Sequence, residues 1–393
     1  MIVNPWEKLA REATPSFERM ELLLSRLGDP QSGLFVIQVA GTHGKTSVIS
    51  FLEAVFCAAG LRVGVCTSLD FPDPAQALRL QGERVSPIAV SALLSLALDP
   101  WEEFVFGPGR PTMYEALTAV ALAHFAKAQA DLVVLEASTG HRFDPTNFVR
   151  PWLSLLTRVE AGERTAALAW EAAKLARPGV PLLTTAVEDE ALEAVARACR
   201  TSGAALALVD PEDVELLELR WDRAIWRSRS DPFGLGPFET KFLGAYQRAN
   251  LSLVLAALAE LFGGFPLTRE AVREGLSQAY LPGRFELIHS RPWIILDAAQ
   301  DLGAAQAVLE SLDSLPFIPG RRTLLLAHPE ERLGQKMGDH LQPAFQEIAH
   351  FPPVELPLRL PRVLRGLGEN DLLLILGPHA VLQEVRDVVQ SSP

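Results

Sequence analysis

The sequence has little of what would cross-link a chain or anchor it in a membrane. Its 393 residues include only three cysteines, Cys57, Cys66 and Cys199. They are odd in number and lie in apolar stretches, which favours buried thiols in a reducing compartment over disulfides or a metal site. No stretch reaches the roughly 18 to 20 uninterrupted apolar residues of a membrane span, and the N-terminus lacks a basic segment followed by an apolar run. We therefore expect a cytoplasmic protein that does not associate with membranes.

Positive charge is also scarce. The 36 lysines and arginines are outnumbered by 48 acidic residues, which gives a formal net charge of −12. Such a surface repels nucleic acid on average, although it allows a local cationic pocket for a phosphate. With 48% hydrophobic and 21% charged residues, the composition is that of a soluble globular enzyme. The length predicts two domains, and nothing in the sequence demands more than a monomer.

Apolar runs and helical periodicities alternate along the first 200 residues. Strands are predicted over 34–40, 62–67, 132–136, 152–159 and 180–184, and helices over 17–27, 47–59, 113–128, 166–176 and 190–202. Strands that are apolar throughout and alternate with helices are typical of a parallel, doubly wound α/β sheet.

The pattern changes in the second half of the chain. Between 212 and 241 it weakens into short alternating pieces, which predicts an antiparallel excursion before a helix over 246–262. A second series follows, with strands over 293–296, 323–327 and 372–376 and helices over 304–312, 338–348 and 380–389. Because Pro282-Gly283-Arg284 interrupts the chain before this series, we place a domain boundary near Gly283. It separates a first domain over 1–283 from a smaller α/β domain over 284–393.

A glycine-rich segment, Gly41-Thr42-His43-Gly44-Lys45-Thr46-Ser47, joins the first predicted strand to its helix. In such a position the backbone N–H groups and the helix N-terminus can point at phosphate oxygens. Lys45 would neutralise phosphate charge, and Thr46 is where a hydroxyl ligand to Mg²⁺ is expected. Val39 replaces the first glycine of the full motif, and an ordinary turn with an incidental lysine is the alternative. The place between strand and helix favours nucleotide binding.

The segment Gly-Thr-His-Gly-Lys-Thr resembles the short phosphate-binding loop of the Mur ligase superfamily, which couples ATP to amide formation. The chain is similar in particular to the folylpolyglutamate synthase/dihydrofolate synthase branch. The matching segments are 17–20, 27–30, 60–68, 79–86, 112–125, 135–147, 244–250, 282–286 and 296–299. The resemblance implies a Mur-ligase-like fold, with an N-terminal P-loop ATPase domain built on a mostly parallel sheet and a smaller C-terminal Rossmann-like α/β domain.

The resemblance also implies roles for individual residues. The ATP ligands would be Gly41, Thr42, His43, Gly44, Lys45, Thr46, Ser47, Asn250 near the adenine, and Arg284 and Asp297 from the second domain. The Mg²⁺ ligands would be Thr46, Ser68 and Glu136, and the catalytic residues Lys45, Arg284 and Asp297.

Three of these assignments have plain alternatives. Glu136 ends a predicted buried strand, where a carboxylate costs free energy unless it is paired or metal-bound; otherwise it reaches solvent. The alternative to a phosphate role for Arg284 is a surface arginine after a turn. The alternative to a nucleotide role for Asp297 is a cap of the next helix.

Several positions depart from the family. Ala172 stands where the family has a lysine, modified to a carbamate, that helps hold magnesium, while Gln300 and Tyr246 each stand where it has a histidine. A further family histidine, after the fourth predicted strand, is missing; Glu163 in that loop either substitutes as an oxygen ligand for Mg²⁺ or is solvated. Lys174, two residues after Ala172, is turned by roughly 200° on a helix, so we do not expect it to replace the lysine.

The implied function is that of an ATP- and Mg²⁺-dependent amide ligase. A carboxyl group of a folate or dihydropteroate would be phosphorylated, and the amine of L-glutamate would displace the phosphate. Two alternatives stay open. One is a catalytically impaired nucleotide- or pteridine-binding paralogue, as Ala172 and Gln300 suggest, and the other is a Mur-like ligase for a different carboxylic acid.

Overall fold

The protein is described by a computed structural model that covers residues 6, 9, 16–67, 74–98, 109–137, 143–159, 165–185, 189–316 and 320–391. The chain forms two compact units. The first comprises Met1–Asp213, Pro232–Gly234 and Asn250–Gly275, and the second Val214–Asp231, Leu235–Ala249 and Leu276–Pro393. The second unit thus takes in more of the chain than the segment 284–393. The boundary near Gly283 between functional domains stays a prediction.

An eight-stranded sheet forms the centre of the first unit. Its strands are β1 (Val36–Ala40), β2 (Val63–Cys66), β3 (Leu78–Leu80), β4 (Glu83–Arg84), β5 (Leu132–Glu136), β6 (Leu153–Leu156), β7 (Pro181–Thr184) and β8 (Ala205–Leu208). Their order is β4-β3-β2-β5-β1-β6-β7-β8. The run from β2 to β8 is parallel, whereas β3 and β4 are antiparallel additions. This confirms the predicted mostly parallel sheet.

Helices precede and connect the strands of the first unit. They are α1 (Phe17–Arg26), α2 (Lys45–Ala58), α3 (Pro87–Leu98), α4 (Met113–Lys127), α5 (Thr165–Ala172), α6 (Asp189–Ser202), α7 (Gln247–Leu261) and α8 (Arg269–Gln278), of which α7 begins and α8 ends in the second unit. Helix α4 begins with a capping box, in which Thr112 and Glu115 satisfy each other's backbone N–H groups. Glu115 also accepts a hydrogen bond from Arg19 at 3.0 Å, which fastens α1 to α4.

The second unit contains two sheets. The strands β9 (Val214–Leu219), β10 (Ala224–Ser228) and β11 (Phe238–Thr240) form the predicted antiparallel excursion. The strands β12 (Glu286–Ser290), β13 (Trp293–Asp297), β14 (Arg322–Leu326), β15 (Glu347–His350) and β16 (Leu372–Leu376) form a sheet in the order β12-β13-β16-β14-β15. Only the edge strand β12 is antiparallel in it, so the predicted α/β character is confirmed.

Four helices belong to this second sheet: α9 (Leu302–Asp313), α10 (Glu331–Leu341), α11 (Leu356–Leu364) and α12 (His379–Ser391). A hydrophobic cluster between the sheet and α11 and α12 includes Leu296, Ile375, Leu360 and Val385. Across the described ranges of the chain, no helix is both long and apolar enough to cross a membrane.

The predicted helix over 338–348 is wrong in its second half. Helix α10 ends at Leu341, and Glu347–His350 is strand β15, which pairs with β14. The 3₁₀ turn Gln342–Ala344 separates them. Pro343 in this turn lacks the N–H that would continue the helix. Helices α3, α8 and α11 and strands β3, β4, β8, β12 and β15 were not predicted.

The three cysteines are free thiols, as the sequence suggests. Cys66 and Cys199 are buried, and Cys57 is half-buried. Burial raises the pKa of Cys66 to about 12 and, with the charge of Glu53, that of Cys57 to about 11. Both are therefore protonated, unreactive thiols near neutral pH.

A glycine at the contact between α8 and α2 gives a test of this packing. A Cβ atom added at Gly275 would lie 2.3 Å from Val55 Cα and 2.6 Å from Val55 N. Because backbone atoms cannot swing aside, we expect Gly275→Ala to lower the free energy of unfolding by about 1 to 3 kcal/mol, despite alanine's better helix propensity. Urea denaturation measures this, with Gly263→Ala as the matched control because its Cβ would meet open space. Equal unfolding midpoints for the two variants would contradict the packing.

Candidate functional site

Two glycines give the loop between β1 and α2 its shape. Gly41 has a φ of 132° and Gly44 a φ of 90°, values that favour glycine. A Cβ atom on Gly41 would lie 2.1 Å from Thr157 Oγ1, and one on Gly44 would lie 2.2 Å from Asn250 Oδ1. The loop therefore lies directly against the residue that follows β6 and against the side chain of Asn250 on α7. The absence of both side chains makes this approach possible.

The first half of the loop is fastened to the chain after β6. Thr42 N and His43 N donate hydrogen bonds to the carbonyl oxygen of Arg158, at 3.0 and 3.3 Å. Thr42 Oγ1 donates to the same oxygen at 3.0 Å. These two N–H groups already have a partner. Further N–H donors for an anion must come from the first turn of α2.

The N-terminus of α2 suits an anion. Gly44 is its N-cap residue, and no side chain among the described residues caps it by a hydrogen bond. The first N–H groups of a helix have no carbonyl partner within the helix, and its dipole is positive at this end. Thr46 is half-buried in this first turn and Ser47 is buried. The structure thus brings all seven predicted loop residues, from Gly41 to Ser47, to one helix terminus.

Lys45 and Glu136 place opposite charges beside the loop. The Lys45 ammonium donates to Gly41 O at 2.9 Å and lies 4.0 Å from Glu136 Oε1. The parallel register sets this pairing, since Val39 before the loop lies opposite Glu136 at the end of β5. Glu136 is only 2% exposed. The alternative of a glutamate that reaches solvent is therefore wrong.

Only some of the predicted metal ligands lie among the described residues. Ser68, and Glu163 in the altered loop, lie outside the described residues, so Thr46 and Glu136 are the predicted oxygen donors whose surroundings are known. In the described part of the chain, no group of three His, Cys, Asp or Glu residues could hold a metal ion. The predicted Mg²⁺ role of these residues stays a prediction.

A polar cluster beneath the loop was missed from the sequence. Gln38, in the middle of β1, donates to Thr146 Oγ1 at 2.7 Å and to Asn147 Oδ1 at 3.1 Å. Thr146 in turn donates through its hydroxyl and its N–H to Asp144, at 2.6 and 3.0 Å. All four side chains are buried. The available signal was a single glutamine in an otherwise apolar strand.

In the second unit, Asp297 is a hydrogen-bond hub. Its Oδ2 accepts from Tyr246 Oη at 3.0 Å and from Phe285 N at 2.7 Å, while Oδ1 accepts from Ala299 N at 2.8 Å. Asp297 is 3% exposed. It does not cap α9, because Asp301 does so through Ala304 N at 2.9 Å. The helix-cap alternative for Asp297 is therefore wrong.

The turn that carries Arg284 is clamped on both sides. Gly283 N donates to Glu286 Oε2 at 2.7 Å, Ala298 N donates to Gly283 O at 2.9 Å, and Phe285 N is held by Asp297. Both flanking residues have a positive φ, 68° at Gly283 and 48° at Phe285. A non-glycine residue in this region is strained unless its surroundings hold it there. The clamp thus fixes the backbone that positions Arg284.

Burial shifts the pKa values of the two side chains that meet in this clamp, Asp297 and Tyr246. Burial raises the pKa of Asp297, and the charge of Arg284 lowers it. Burial and the neighbouring Asp297 raise the pKa of Tyr246 well above its usual value. Tyr246 is therefore a protonated donor throughout the physiological range. It makes this bond where the family has a histidine.

Two of the positions discussed as departures from the family, Ala172 and Lys174, have surroundings that the structure describes. Ala172 is 5% exposed and belongs to an apolar cluster with Ala40, at the end of β1, and Ala137, which follows Glu136. Lys174 instead lies over the ring of Trp170, with its Nζ 3.8 Å from the ring centroid. Its ammonium is held there by a cation–π contact. That Lys174 does not replace the lysine stays a prediction.

Solved structures of similar fold include a folylpolyglutamate synthase complex with AMPPCP and folate. The two share 24% sequence identity with a TM-score of 0.81, and the match covers 98% of each chain. At this identity the likeness establishes the fold, which is that of a Mur-ligase-like α/β protein.

Sequence relatives identify the family. No family model matches the chain. The dihydrofolate synthase/folylpolyglutamate synthase of Escherichia coli is 30% identical over 309 residues, which cover 76% of this chain and 68% of the relative. A probable bifunctional folylpolyglutamate synthase/dihydropteroate synthase of Halobacterium salinarum is 34% identical over 313 residues, but the match spans only 38% of its length. The chain belongs to the folylpolyglutamate synthase/dihydrofolate synthase family.

His379 gives a test of the clamped turn. A Cβ atom on Gly283 would lie 3.4 Å from His379 Nδ1, and burial with the charges of Arg284 and Arg386 lowers the pKa of His379 to about 3. In the unfolded chain the imidazole of His379 is protonated below about pH 6.5, whereas in the folded protein it stays neutral down to about pH 3. The folded state therefore keeps its full stability above about pH 6.5 and loses stability as the pH falls toward about 3.

We therefore expect the wild type to lose about 2 kcal/mol more than His379→Gln in unfolding free energy between about pH 7 and about pH 4.5. Urea denaturation at both pH values measures the difference. His350→Gln is the control, because this histidine is exposed. Parallel pH profiles for the wild type and His379→Gln would show that His379 is not buried as a neutral group.

Proposed function

We propose that the protein is an ATP-dependent amide ligase that adds L-glutamate to a carboxyl group of a folate or dihydropteroate. The observation that carries the proposal is the α2 N-terminus, where Lys45 lies 4.0 Å from the buried carboxylate of Glu136. Membership of the folylpolyglutamate synthase/dihydrofolate synthase family supports the choice of reaction. A folylpolyglutamate synthase of the same fold binds AMPPCP and folate, which supports the choice of substrates.

The proposed reaction has two steps. A carboxylate oxygen of the acid attacks the γ-phosphorus of ATP, the bond to the bridging β–γ oxygen breaks, and ADP leaves. The amine nitrogen of glutamate then attacks the acyl carbon, phosphate leaves with the C–O electron pair, and the nitrogen loses a proton. Both substrates of the first step are anionic, so Lys45 and the helix N-terminus lower the barrier by stabilising the negative charge on the phosphates.

The residues present fit a Mg²⁺ ion at this site. Thr46 and Glu136 offer a hydroxyl and a carboxylate oxygen, the donors that Mg²⁺ prefers. Glu136 is buried, and such a carboxylate favours a cation nearby. We propose that these two residues hold the ion, with Ser68 as the further ligand that the family resemblance implies. When bound, Mg²⁺ would screen phosphate charge.

For the remaining predicted residues the contacts favour differentiated roles. Asn250, predicted to approach the adenine, packs against Gly44, so we propose that it also shapes the loop. Arg284 is proposed to contact phosphate. Both carboxylate oxygens of Asp297 already accept hydrogen bonds, so we propose that it positions the Arg284 turn in addition to its predicted place facing the nucleotide.

The deciding measurement is ADP release by the purified protein. We expect ADP to form only when ATP, Mg²⁺, L-glutamate and dihydropteroate or tetrahydrofolate are all present. ATP binding without turnover would refute the ligase function and favour the impaired paralogue that Ala172 and Gln300 suggest. Turnover only with another carboxylic acid would instead refute the folate assignment.

Replacement of Lys45 tests the phosphate site directly. Because Lys45 is proposed to stabilise charge that develops on the phosphate, we expect Lys45→Ala to lower kcat for ADP release about 100-fold or more. Lys174→Ala is the matched control, since this ammonium lies over Trp170, and it should keep the wild-type kcat. Equal loss of activity in both variants would show that a general effect on the fold, rather than the site, is responsible.

A further inference from the structure

A cavity of about 610 Å³ lies within the second unit. It is formed by the turn between β9 and β10, the chain after β11, the chain around Arg284, strand β12, the start of β13, and helix α12. Its volume lies in the range of about 300 to 1,000 Å³ that is typical of small-molecule sites. Of the residues that line it, Arg284 is the one proposed to contact phosphate, and Glu286 helps to hold the turn that carries it.

One wall of the cavity is aromatic. The rings of Trp221 and Trp293 are stacked, with centroids 3.9 Å apart and an interplanar angle of 27°. Both tryptophans are half-buried, while the neighbouring Phe242 and Leu243 are buried. Tyr280, also at the cavity, is 52% exposed. Stacked tryptophans lose little freedom when a ligand binds, and a flat ring packs well against such a wall.

The side chains that line the cavity carry a net positive charge. Lys241, Arg284 and Arg386 line it together with only two acidic residues, Asp222 and Glu286. The carboxylate of Glu286 already accepts hydrogen bonds from Tyr280, Gly283 and Arg386. Asp222 pairs with Arg223 at 3.5 Å.

A donor for an anion remains at the cavity. Lys241 is exposed, lines the cavity and carries a charged ammonium group, whereas Arg386 already pairs with Glu286. The chain as a whole has a net charge of −12, whereas basic residues outnumber acidic residues in the lining of this cavity. The cavity therefore favours a negatively charged ligand.

From the stacked tryptophans and the excess of cations, we propose that this cavity is a binding site for a planar aromatic molecule that carries a carboxylate. The ring packs on the wall formed by Trp221 and Trp293, and Lys241 attracts the carboxylate. The site goes beyond the proposed ligase reaction, because binding here requires neither ATP nor turnover. Its test is therefore independent of the ADP-release measurement.

The test uses cinnamate, a planar aromatic carboxylate, and cinnamamide, its neutral counterpart, in calorimetric titrations of the full-length protein without ATP. We expect cinnamate to bind and cinnamamide to bind about 10-fold more weakly, because the amide loses the charged hydrogen bonds. Lys241→Gln should weaken cinnamate binding by a similar factor and leave cinnamamide unaffected. Because Lys241 is exposed, this change does not threaten the fold.

Trp293→Ala should weaken both ligands about 10-fold through the lost stacking surface. The matched controls are Lys336→Gln, an exposed lysine away from the cavity, and Trp152→Ala, an exposed tryptophan of the first unit. Both controls should bind cinnamate like the wild type. Absence of cinnamate binding, equal binding of the two ligands, or unchanged binding in Lys241→Gln and Trp293→Ala would each overturn the proposal.

Discussion

The parallel register of three strands is the constraint on which the first unit depends. Strand β1 lies between β5 and β6, so the carboxyl ends of all three strands meet where the loop that begins at Gly41 leaves β1. Glu136 then stands beside Val39, and Thr157 and Arg158 receive the loop. Ligands of α/β proteins bind at this edge, where the strand order reverses. A change of one residue in this register would separate Glu136 from Lys45.

The close packing of the loop against the chain after β6 leaves fewer backbone N–H donors for a ligand. Two of its N–H groups donate to the carbonyl oxygen of Arg158, so the proposed anion site depends on the first turn of α2 and on Lys45. The N-terminus of α2, which no described side chain caps, and the buried Glu136 carboxylate differ in electrostatic character. In the proposed function the helix terminus attracts phosphate, and the carboxylate favours a cation beside it. Ala172 packs in an apolar cluster with Ala40, which precedes the loop, and Ala137, which follows Glu136.

In the second unit, hydrogen bonds to two carboxylates hold the turn that carries Arg284. Two carboxylates, Asp297 and Glu286, accept the N–H groups on either side of Arg284, and the strained backbone between them stays in place. Glu286 belongs both to this clamp and to the wall of the aromatic cavity. A ligand in the cavity would therefore contact a residue that also fixes the turn, which couples the two features within one unit.

The sequence by itself determined the elements whose signal is local. Apolar runs identified the strands β1, β5 and β16, and the glycine-lysine segment identified the loop between β1 and α2, because strand burial and loop conformation depend on neighbouring residues in the chain. Tertiary structure decided which side chains meet. The Gln38 cluster, the role of Asp301 rather than Asp297 as helix cap, the position of Lys174 over Trp170 and the stacked tryptophans all join residues whose proximity depends on packing and strand order. Such contacts leave no periodic trace in the chain.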